Sequence, residues 1–258
     1  PSEFMVLALI IALATYCNRR PDGLSLRDVS RLLLMAAFPM ALVIIQPDLG
    51  TVIIMAIVTV TLMAVAGLPG RILIWLLVAT VVAIFIAIEG GLLSAYQLHR
   101  LTSFLNQSST DPNAQASIYN VRQAKAAIGA GGWFGAGLGH GALTNLGYVP
   151  EQQTDFIFTA VGEQLGFLGT TAVLALQAGI AYRVLKAAMG AKDMLGRLIC
   201  AGVFAFFCFS VFQNAGMTMG IMPVTGIPMP FLSYGGSATL VFFSAIGLVL
   251  SVEARRGG

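Results

Sequence analysis

The residue with the clearest chemical potential is Asp155. It follows Pro150 and Thr154 at the point where a mostly polar stretch meets an apolar segment. Burying an ionised carboxylate near a bilayer is costly, so an acid at such a depth is a functional candidate. The sequence leaves two roles open for it: general base, or ligand of a divalent cation such as Mg²⁺ or Mn²⁺.

Two further acids, Glu3 and Asp48, lie at the predicted ends of apolar segments. Asp48 falls in the run 46–51, where Pro47 removes a backbone donor and Gly50 permits unusual dihedral angles. The run therefore predicts an interruption between two helices. Asp48 either caps the helix that follows or lines a cavity.

A fourth acid shares a predicted helix with Asp155. Asp155, Thr159 and Glu163 recur at four-residue steps, which places them on one broad face. Glu163 lies about two turns deeper than Asp155. For Asp155 we favour a chemical role, and for Glu163 a structural one, as half of an interhelical pair.

Three cations, Arg100, Arg122 and Lys125, precede Asp155 and Glu163 in the chain. Residues 119–125 form an amphipathic helical pattern in which Arg122 and Lys125 are neighbours three residues apart. Two cations near a membrane plane suit a phosphate group. Surface solubility is the alternative.

A glycine-rich stretch, residues 129–141, follows the cations and contains seven glycines. No Lys-Ser or Lys-Thr pair follows it, and no alternation of strand and helix surrounds it, so it is neither a phosphate-binding P-loop nor a dinucleotide-binding fingerprint. The pattern favours a flexible or re-entrant loop. We expect it to be mobile when no ligand is bound and to order over a bound ligand.

The composition indicates an integral membrane protein. Hydrophobic residues make up 57% of the 258, and charged residues only 10%, against about 25% in soluble domains. A net charge of +3 gives no reason to expect nucleic acid as a partner. Cys17, Cys200 and Cys208 lie apart in apolar stretches, and His99 and His140 are too scattered for a metal site.

Seven segments have the length and apolarity of membrane spans. They run over about 3–17, 29–46, 50–67, 71–91, 155–183, 196–219 and 235–252. Each must be helical, because a span has to satisfy its own backbone hydrogen bonds. The sequence therefore predicts an all-α, polytopic helix bundle, a single transmembrane domain over residues 1–258 with a long extracellular loop at about 92–154. The chain lacks an initiator Met and opens in an apolar segment, so we expect it to be part of a longer protein.

The basic residues predict the orientation. One set of segment ends carries Arg19, Arg20, Arg27, Arg31, Arg71, Arg183, Lys186, Lys192, Arg197, Arg255 and Arg256. The opposite side carries only Arg100, Arg122 and Lys125. Because cytoplasmic loops are rich in Lys and Arg, the first set is cytoplasmic and its loops serve mainly as topology signals. Most polar chemistry then lies on the outer face, which excludes ATP as a direct substrate.

Six ordered motifs resemble the RodA/FtsW family of bacterial cell-wall polymerases, also called SEDS (shape, elongation, division, sporulation). They are residues 1–3, 46–51, 123–132, 150–158, 162–166 and 230–237. Together they extend over the whole chain and resemble the RodA, or elongation, branch more than FtsW.

The resemblance implies a fold of about ten helices, of which about three N-terminal spans precede this chain. It also implies that Asp155 occupies the essential acid position, and that Glu3 and Asp48 line a central cavity. Glu151 and Ser233 lie in matched motifs. Our candidate substrate-binding residues are Glu3, Asp48, Arg100, Arg122, Lys125, Glu151 and Ser233. Asp48 and Asp155 should face one cavity open to the outer side.

The chain departs from the family pattern at three positions. Val6 stands where the family often has Lys, so the charge role of that position passes to another cation or is lost. Gln153 replaces a common His, and Gln164 replaces a frequent second Glu. None of these changes removes Asp155.

The resemblance implies an enzyme of the bacterial plasma membrane that polymerises lipid II, the undecaprenyl pyrophosphate-linked disaccharide pentapeptide, into glycan strands. The expected partners are a class B penicillin-binding protein and other membrane proteins of the elongation complex. Two alternatives stay open: a flippase for the lipid-linked precursor, since broken helices and intramembrane acids also mark transporters, and a non-enzymatic scaffold for a penicillin-binding protein.

Overall fold

A computed structural model describes residues 2–20, 23–89 and 112–255. Within these ranges the chain forms nine helices and no strand. They are α1 (Ser2–Asn18), α2 (Leu26–Ile45), α3 (Leu49–Val65), α4 (Gly70–Glu89), α5 (Pro112–Gly131), α6 (Ala142–Asn145), α7 (Ile157–Gly190), α8 (Met194–Thr218) and α9 (Gly236–Ala254). The predicted all-α class is confirmed.

The predicted apolar segments all coincide with helices. Four of them, α2, α7, α8 and α9, are long and apolar enough to cross a membrane, and α1 and α3 are apolar helices of 17 residues each. A span needs about 17–25 residues, so 17 residues lie at the lower limit. The chain is thus a multi-pass membrane helix bundle, while the count of seven spans stays a prediction.

The Cα positions separate into two compact units. Unit 1 comprises residues 1–92, 181–209 and 239–258, and unit 2 comprises residues 93–180 and 210–238. The prediction of a single transmembrane domain stays a prediction.

Unit 1 is held by apolar packing among α1, α2 and α3. One polar cluster joins α1 to α2: Asp28, 7% exposed, accepts hydrogen bonds from Tyr16 Oη at 2.8 Å and Arg20 Nε at 3.0 Å. Ser25 caps α2 and exchanges hydrogen bonds with Asp28 in a capping box. Arg20 therefore does more than signal topology, because it pairs with an acid that orders the turn.

Unit 2 has two buried clusters on either side of the start of α7. Phe156 packs in one with Val121, Ala124 and Val224, and Phe158 packs in the other with Ala215 and Met229. Both phenylalanine side chains are at least 97% buried. Because Asp155 directly precedes Phe156, this packing restrains the backbone that carries the candidate acid.

Helix α7 is interrupted at Gly166, whose φ of 66° and ψ of −162° are not helical. The glycine segment, defined here as residues 131–141, lies against this interruption. Ala136 N–H donates to Glu163 O at 2.9 Å, and Phe167 N–H donates to Gly132 O at 2.8 Å. The N–H and carbonyl groups that lack helical partners in these two irregular segments thus hydrogen-bond to each other.

Candidate functional site

The four-residue pattern predicted that Asp155 lies within a helix. In the structure it lies in a turn before α7. Its N–H donates to Glu151 O at 3.0 Å, and Thr159 N–H donates to Phe156 O instead of Asp155 O. The carbonyl of Asp155 is therefore outside the helical ladder. It accepts a hydrogen bond from Asn214 Nδ2 at 2.8 Å.

The carboxylate of Asp155 is half-buried and lies over Gly226. A Cβ built at Gly226 would come within 3.1 Å of Asp155 Oδ2. Gly226 also has a φ of 75°, in the left-handed region that favours glycine. A side chain here would both strain the backbone and crowd the acid, so this glycine permits the close approach.

Two amides of α8 tie the irregular segment 219–235 into unit 2. Gln213 Nε2 donates to Pro223 O at 2.8 Å, and Asn214 Nδ2 donates to Ile227 O as well as to Asp155 O, both at 2.8 Å. Both amides bond to carbonyls that lie outside helices. These carbonyls have no ladder partner, and buried amides supply the missing donors.

Asn214 and Gly226 are the functional candidates that sequence reasoning missed. Asn214 is fully buried and links the backbone beside Asp155 to the backbone beside Gly226. The sequence offered two signals: the polar pair Gln213 and Asn214 inside an apolar span, and Gly226 between two prolines. Neither signal indicated that Asn214 bonds to the carbonyl of Asp155 or that Gly226 lies beside its carboxylate.

Ser233 is 7% exposed, and its hydroxyl joins two segments. It accepts a hydrogen bond from Met229 N–H at 2.8 Å and donates to Thr154 O. Tyr234 N–H donates to Gln153 O at 2.8 Å beside it. Ser233 thus holds the segment before Asp155 in place, while the predicted contact with substrate stays a prediction.

Two of the three candidate substrate-binding cations lie in the part of the chain that the structure describes, and both are on one helix of unit 2. Arg122 and Lys125 are both exposed on α5, as the amphipathic pattern predicted. The end of the Lys125 side chain reaches the turn after α8, where a Cβ built at Gly220 would lie 2.8 Å from Lys125 Nζ. Arg100 lies outside the described residues.

Glu151 is exposed and opens the turn that carries Asp155. Its φ is 49°, and its carbonyl accepts the N–H groups of Thr154, Asp155 and Phe156. Its carboxylate also accepts a hydrogen bond from the Thr154 hydroxyl at 3.3 Å, so the backbone and the side chain of Glu151 both hold this turn. A part for its carboxylate in substrate binding stays a prediction.

Glu163 is 2% exposed and fully engaged. Its two carboxylate oxygens accept the N–H groups of Leu143 and Thr144, each at 2.8 Å. These donors belong to the first turn of α6, where helical N–H groups lack partners. The structural role favoured for Glu163 is therefore supported, with a helix terminus in place of the expected interhelical partner.

Glu3 and Asp48 lie in unit 1. Asp48 caps α3: Oδ1 accepts Thr51 N–H at 3.0 Å, and Oδ2 accepts the hydroxyls of Thr51 and Ser2 at 2.7 and 3.0 Å. The capping interpretation of Asp48 is thus confirmed. Glu3 is half-buried in the first turn of α1. A cavity shared by Asp48 and Asp155 stays a prediction.

In the described ranges, His, Cys, Asp and Glu form no group of three or more that could hold a metal ion. Asp155 alone would supply one carboxylate. Mg²⁺ is commonly held by one or two carboxylates together with substrate phosphates and waters. The donor set thus fits a cation brought by a phosphorylated substrate better than a resident metal centre.

Comparison with known proteins assigns the class. A family model described as cell cycle protein, which covers FtsW, RodA and SpoVE, matches residues 1–257. The chain belongs to this family.

Particular relatives come from more than one branch. The peptidoglycan glycosyltransferase MrdB of Escherichia coli K12 is 37% identical, with 99% of this chain and 68% of MrdB covered. Stage V sporulation protein E of Bacillus subtilis is 38% identical, with 98% and 68% covered. These near-equal identities do not single out the RodA branch, which stays a prediction.

A solved structure shares the fold. It belongs to a peptidoglycan synthase complex studied for the coordination of polymerisation and crosslinking, and it matches with a TM-score of 0.82 at 29% identity. The match covers 99% of this chain and 70% of that one. This chain therefore spans about two thirds of the length of its relatives.

Proposed function

We propose that this chain is the larger part of a peptidoglycan glycosyltransferase that polymerises lipid II in the bacterial plasma membrane, with its active face outside the cell. The membership of the family and the activity for which MrdB is named support this reaction class. The observation that carries it here is the setting of Asp155. Hydrogen bonds fix its backbone at both N–H and carbonyl, and its carboxylate remains half-buried against Gly226.

In the proposed reaction a sugar hydroxyl of one lipid II molecule attacks the anomeric carbon of another. A new carbon–oxygen bond forms, and the bond from that carbon to the pyrophosphate oxygen breaks. Asp155 accepts the proton of the attacking hydroxyl as general base. A base must lie within hydrogen-bond reach of that proton, which requires a fixed carboxylate. Asn214 restrains the main chain of Asp155, and the absence of a side chain at Gly226 leaves room for the carboxylate beside it.

The leaving undecaprenyl pyrophosphate needs positive charge. Arg122 and Lys125 are exposed on one helix in the same unit as Asp155. A guanidinium grips phosphate oxygens as a fork, and an ammonium meets them as a point charge. Arg100 completes the proposed set. In its alternative role Asp155 would instead hold a divalent cation, which would neutralise charge on the leaving group.

The proposed partner is a class B penicillin-binding protein that crosslinks the strands. The solved complex that this fold matches joins polymerisation to crosslinking, which supports such a pairing. Further membrane proteins of the elongation complex would bind in the same assembly.

The discriminating experiment uses the purified full-length protein in lipid nanodiscs with lipid II. The proposal expects glycan strands longer than one disaccharide, detected by gel electrophoresis without any partner. Transport of labelled lipid II across a vesicle membrane with no polymer would favour the flippase. The penicillin-binding protein used in a further arm has no glycosyltransferase site of its own. If polymer forms only when it is added, this chain is still the polymerase, but its activity depends on the partner. Neither polymer nor transport in any arm would overturn the proposal in favour of a scaffold.

A further inference from the structure

The glycine segment, residues 131–141, carries large apolar side chains that point away from the protein. Trp133 is 67% exposed, Phe134 81% and Leu138 73%. Just after the interruption of α7, Phe167 and Leu168 are 56% and 51% exposed. These five residues are called the apolar rim below.

Two side chains of the rim are in contact, and backbone hydrogen bonds join the two segments that carry it. The rings of Trp133 and Phe167 meet edge to face, with centroids 5.1 Å apart. Leu168 N–H donates to Trp133 O at 3.2 Å, and Gly137 N–H donates to Gln164 O at 3.0 Å. The glycine segment is therefore bound along α7 and does not hang from it as a free loop.

Close packing accounts for several of its glycines. A Cβ at Gly131 would clash with the carbonyl of Gly162, and one at Gly135 with that of Gln164. A Cβ at Gly166 would clash with the backbone of Gly135. These glycines permit two backbones to touch. The expected mobility of the loop without substrate stays a prediction.

The surrounding sequence is unusual for a water-exposed loop. Residues 126–150, 25 in number, contain no Asp, Glu, Lys or Arg. At the usual charged fraction of about a quarter, such a stretch would hold about six charges. An uncharged stretch with exposed Trp, Phe and Leu suits a lipid surface instead.

The depth along α7 agrees with that surface. Arg183 and Lys186 lie near its cytoplasmic end by the charge pattern. A hydrocarbon core of about 30 Å corresponds to about 20 helical residues, so the outer boundary falls near residue 163. Phe167 and Trp133 then lie just inside that boundary, in the zone where Trp is enriched.

Irregular backbone can enter a bilayer only when the protein satisfies its polar groups. The interruption at Gly166 leaves carbonyls and N–H groups without helical partners, and the glycine segment meets four of them. We propose that residues 131–141 form an interfacial re-entrant element, and that the apolar rim is inserted into the outer leaflet of the bilayer. The occupant of this surface is lipid, independent of the reaction proposed above.

The test measures the surroundings of single positions in the full-length protein in nanodiscs, without any partner protein. A nitroxide-bearing non-natural amino acid is placed at Phe134, and its collision rates with oxygen and with a water-soluble nickel complex are compared. Oxygen concentrates in lipid and the nickel complex in water. Leu176, 71% exposed on α7, is the lipid reference, and the exposed Arg255 is the aqueous reference.

The proposal expects the oxygen-to-nickel ratio at Phe134 to match that at Leu176. A ratio like that at Arg255 would overturn it, since the rim would then face water. Shielding from both reagents would also overturn it, since protein would cover the rim. If the Phe134 variant does not fold, the same label at Leu138, which is 73% exposed, decides by the same criteria.

Discussion

Asp155 and Glu163 belong to the same unit and are separated by two helical turns of sequence, yet their surroundings differ. Glu163 is 2% exposed, and both of its oxygens accept backbone N–H groups. At Asp155 the N–H and the carbonyl are both hydrogen-bonded, and the carboxylate lies half-buried over a glycine. The comparison separates two acids near a membrane: Glu163, whose charge caps a helix terminus, and Asp155, whose main chain is held by hydrogen bonds beside a glycine.

The largest effect should come from Asp155→Asn. The change keeps the shape and removes the charge and basicity, so lipid II polymerisation should fall by about 10²–10⁴-fold. Thermal unfolding should change little, because the contacts of Asn214 and Glu151 are made to the backbone of residue 155. Near-normal polymer from this variant would remove both the general-base and the metal-ligand roles.

Glu163→Ala should show the opposite balance. It leaves the N–H groups of Leu143 and Thr144 buried without their acceptor, and hydrogen bonds to a charged group contribute about 1.5–3 kcal/mol each. We expect Glu163→Ala to lower the free energy of unfolding clearly. Glu163→Gln should lower it less, because the amide oxygen can still accept a hydrogen bond. Folded Glu163→Gln protein should keep its polymerisation rate. A rate loss as deep as that of Asp155→Asn, at unchanged stability, would mean that Glu163 also does chemistry.

Asn214→Ala tests the positioning of Asp155 and has a matched control. Gln177 is likewise a buried amide of unit 2, and its Nε2 donates to Pro230 O at 2.8 Å. Gln177→Ala leaves one carbonyl unpaired and Asn214→Ala leaves two, and each unpaired carbonyl should cost about 1–3 kcal/mol of stability. Only Asn214→Ala should also lower kcat, by about tenfold, because small misplacements of a catalytic group cost rate. Equal kcat in the two variants would make Asn214 purely structural.

Gly226→Ala separates backbone strain from crowding of the acid. Gly147 has a similar φ, 69° against 75°, but no atom within 4 Å of a built Cβ. Left-handed backbone costs a non-glycine residue about 1–2 kcal/mol, so Gly147→Ala and Gly226→Ala should lose similar stability. Polymerisation should fall in Gly226→Ala alone, since its Cβ would lie 3.1 Å from Asp155 Oδ2. Equal losses of activity in Gly226→Ala and Gly147→Ala would show that backbone strain alone accounts for the loss.

The smallest effects should come from the cations. Lys125→Ala and Arg100→Ala should raise the KM for lipid II by a few-fold, since each would remove one contact to the pyrophosphate. Surface charge changes usually shift stability by no more than about 0.5 kcal/mol. Polymerisation against lipid II concentration, with thermal unfolding of the same samples, checks both. Wild-type kinetics in both variants would place the pyrophosphate site elsewhere.

The sequence by itself determined the class of molecule, the helical segments and the candidate acid. Apolar segments long enough to span a membrane leave helix as the available form, because a bilayer offers no partners for backbone groups. The capping role of Asp48 was also accessible, since a cap depends on residues a few positions apart.

Only the tertiary structure decided what each polar residue contacts. Glu163 meets α6 about twenty residues earlier in the chain, and Asn214 meets Asp155 59 residues away. It also showed that Asp155 precedes its helix and that the glycine segment packs against the interruption at Gly166. Helical periodicity reports which residues share a face, but long-range hydrogen bonds arise from irregular segments, where unpaired carbonyls and N–H groups take whichever partner the folded chain brings to them.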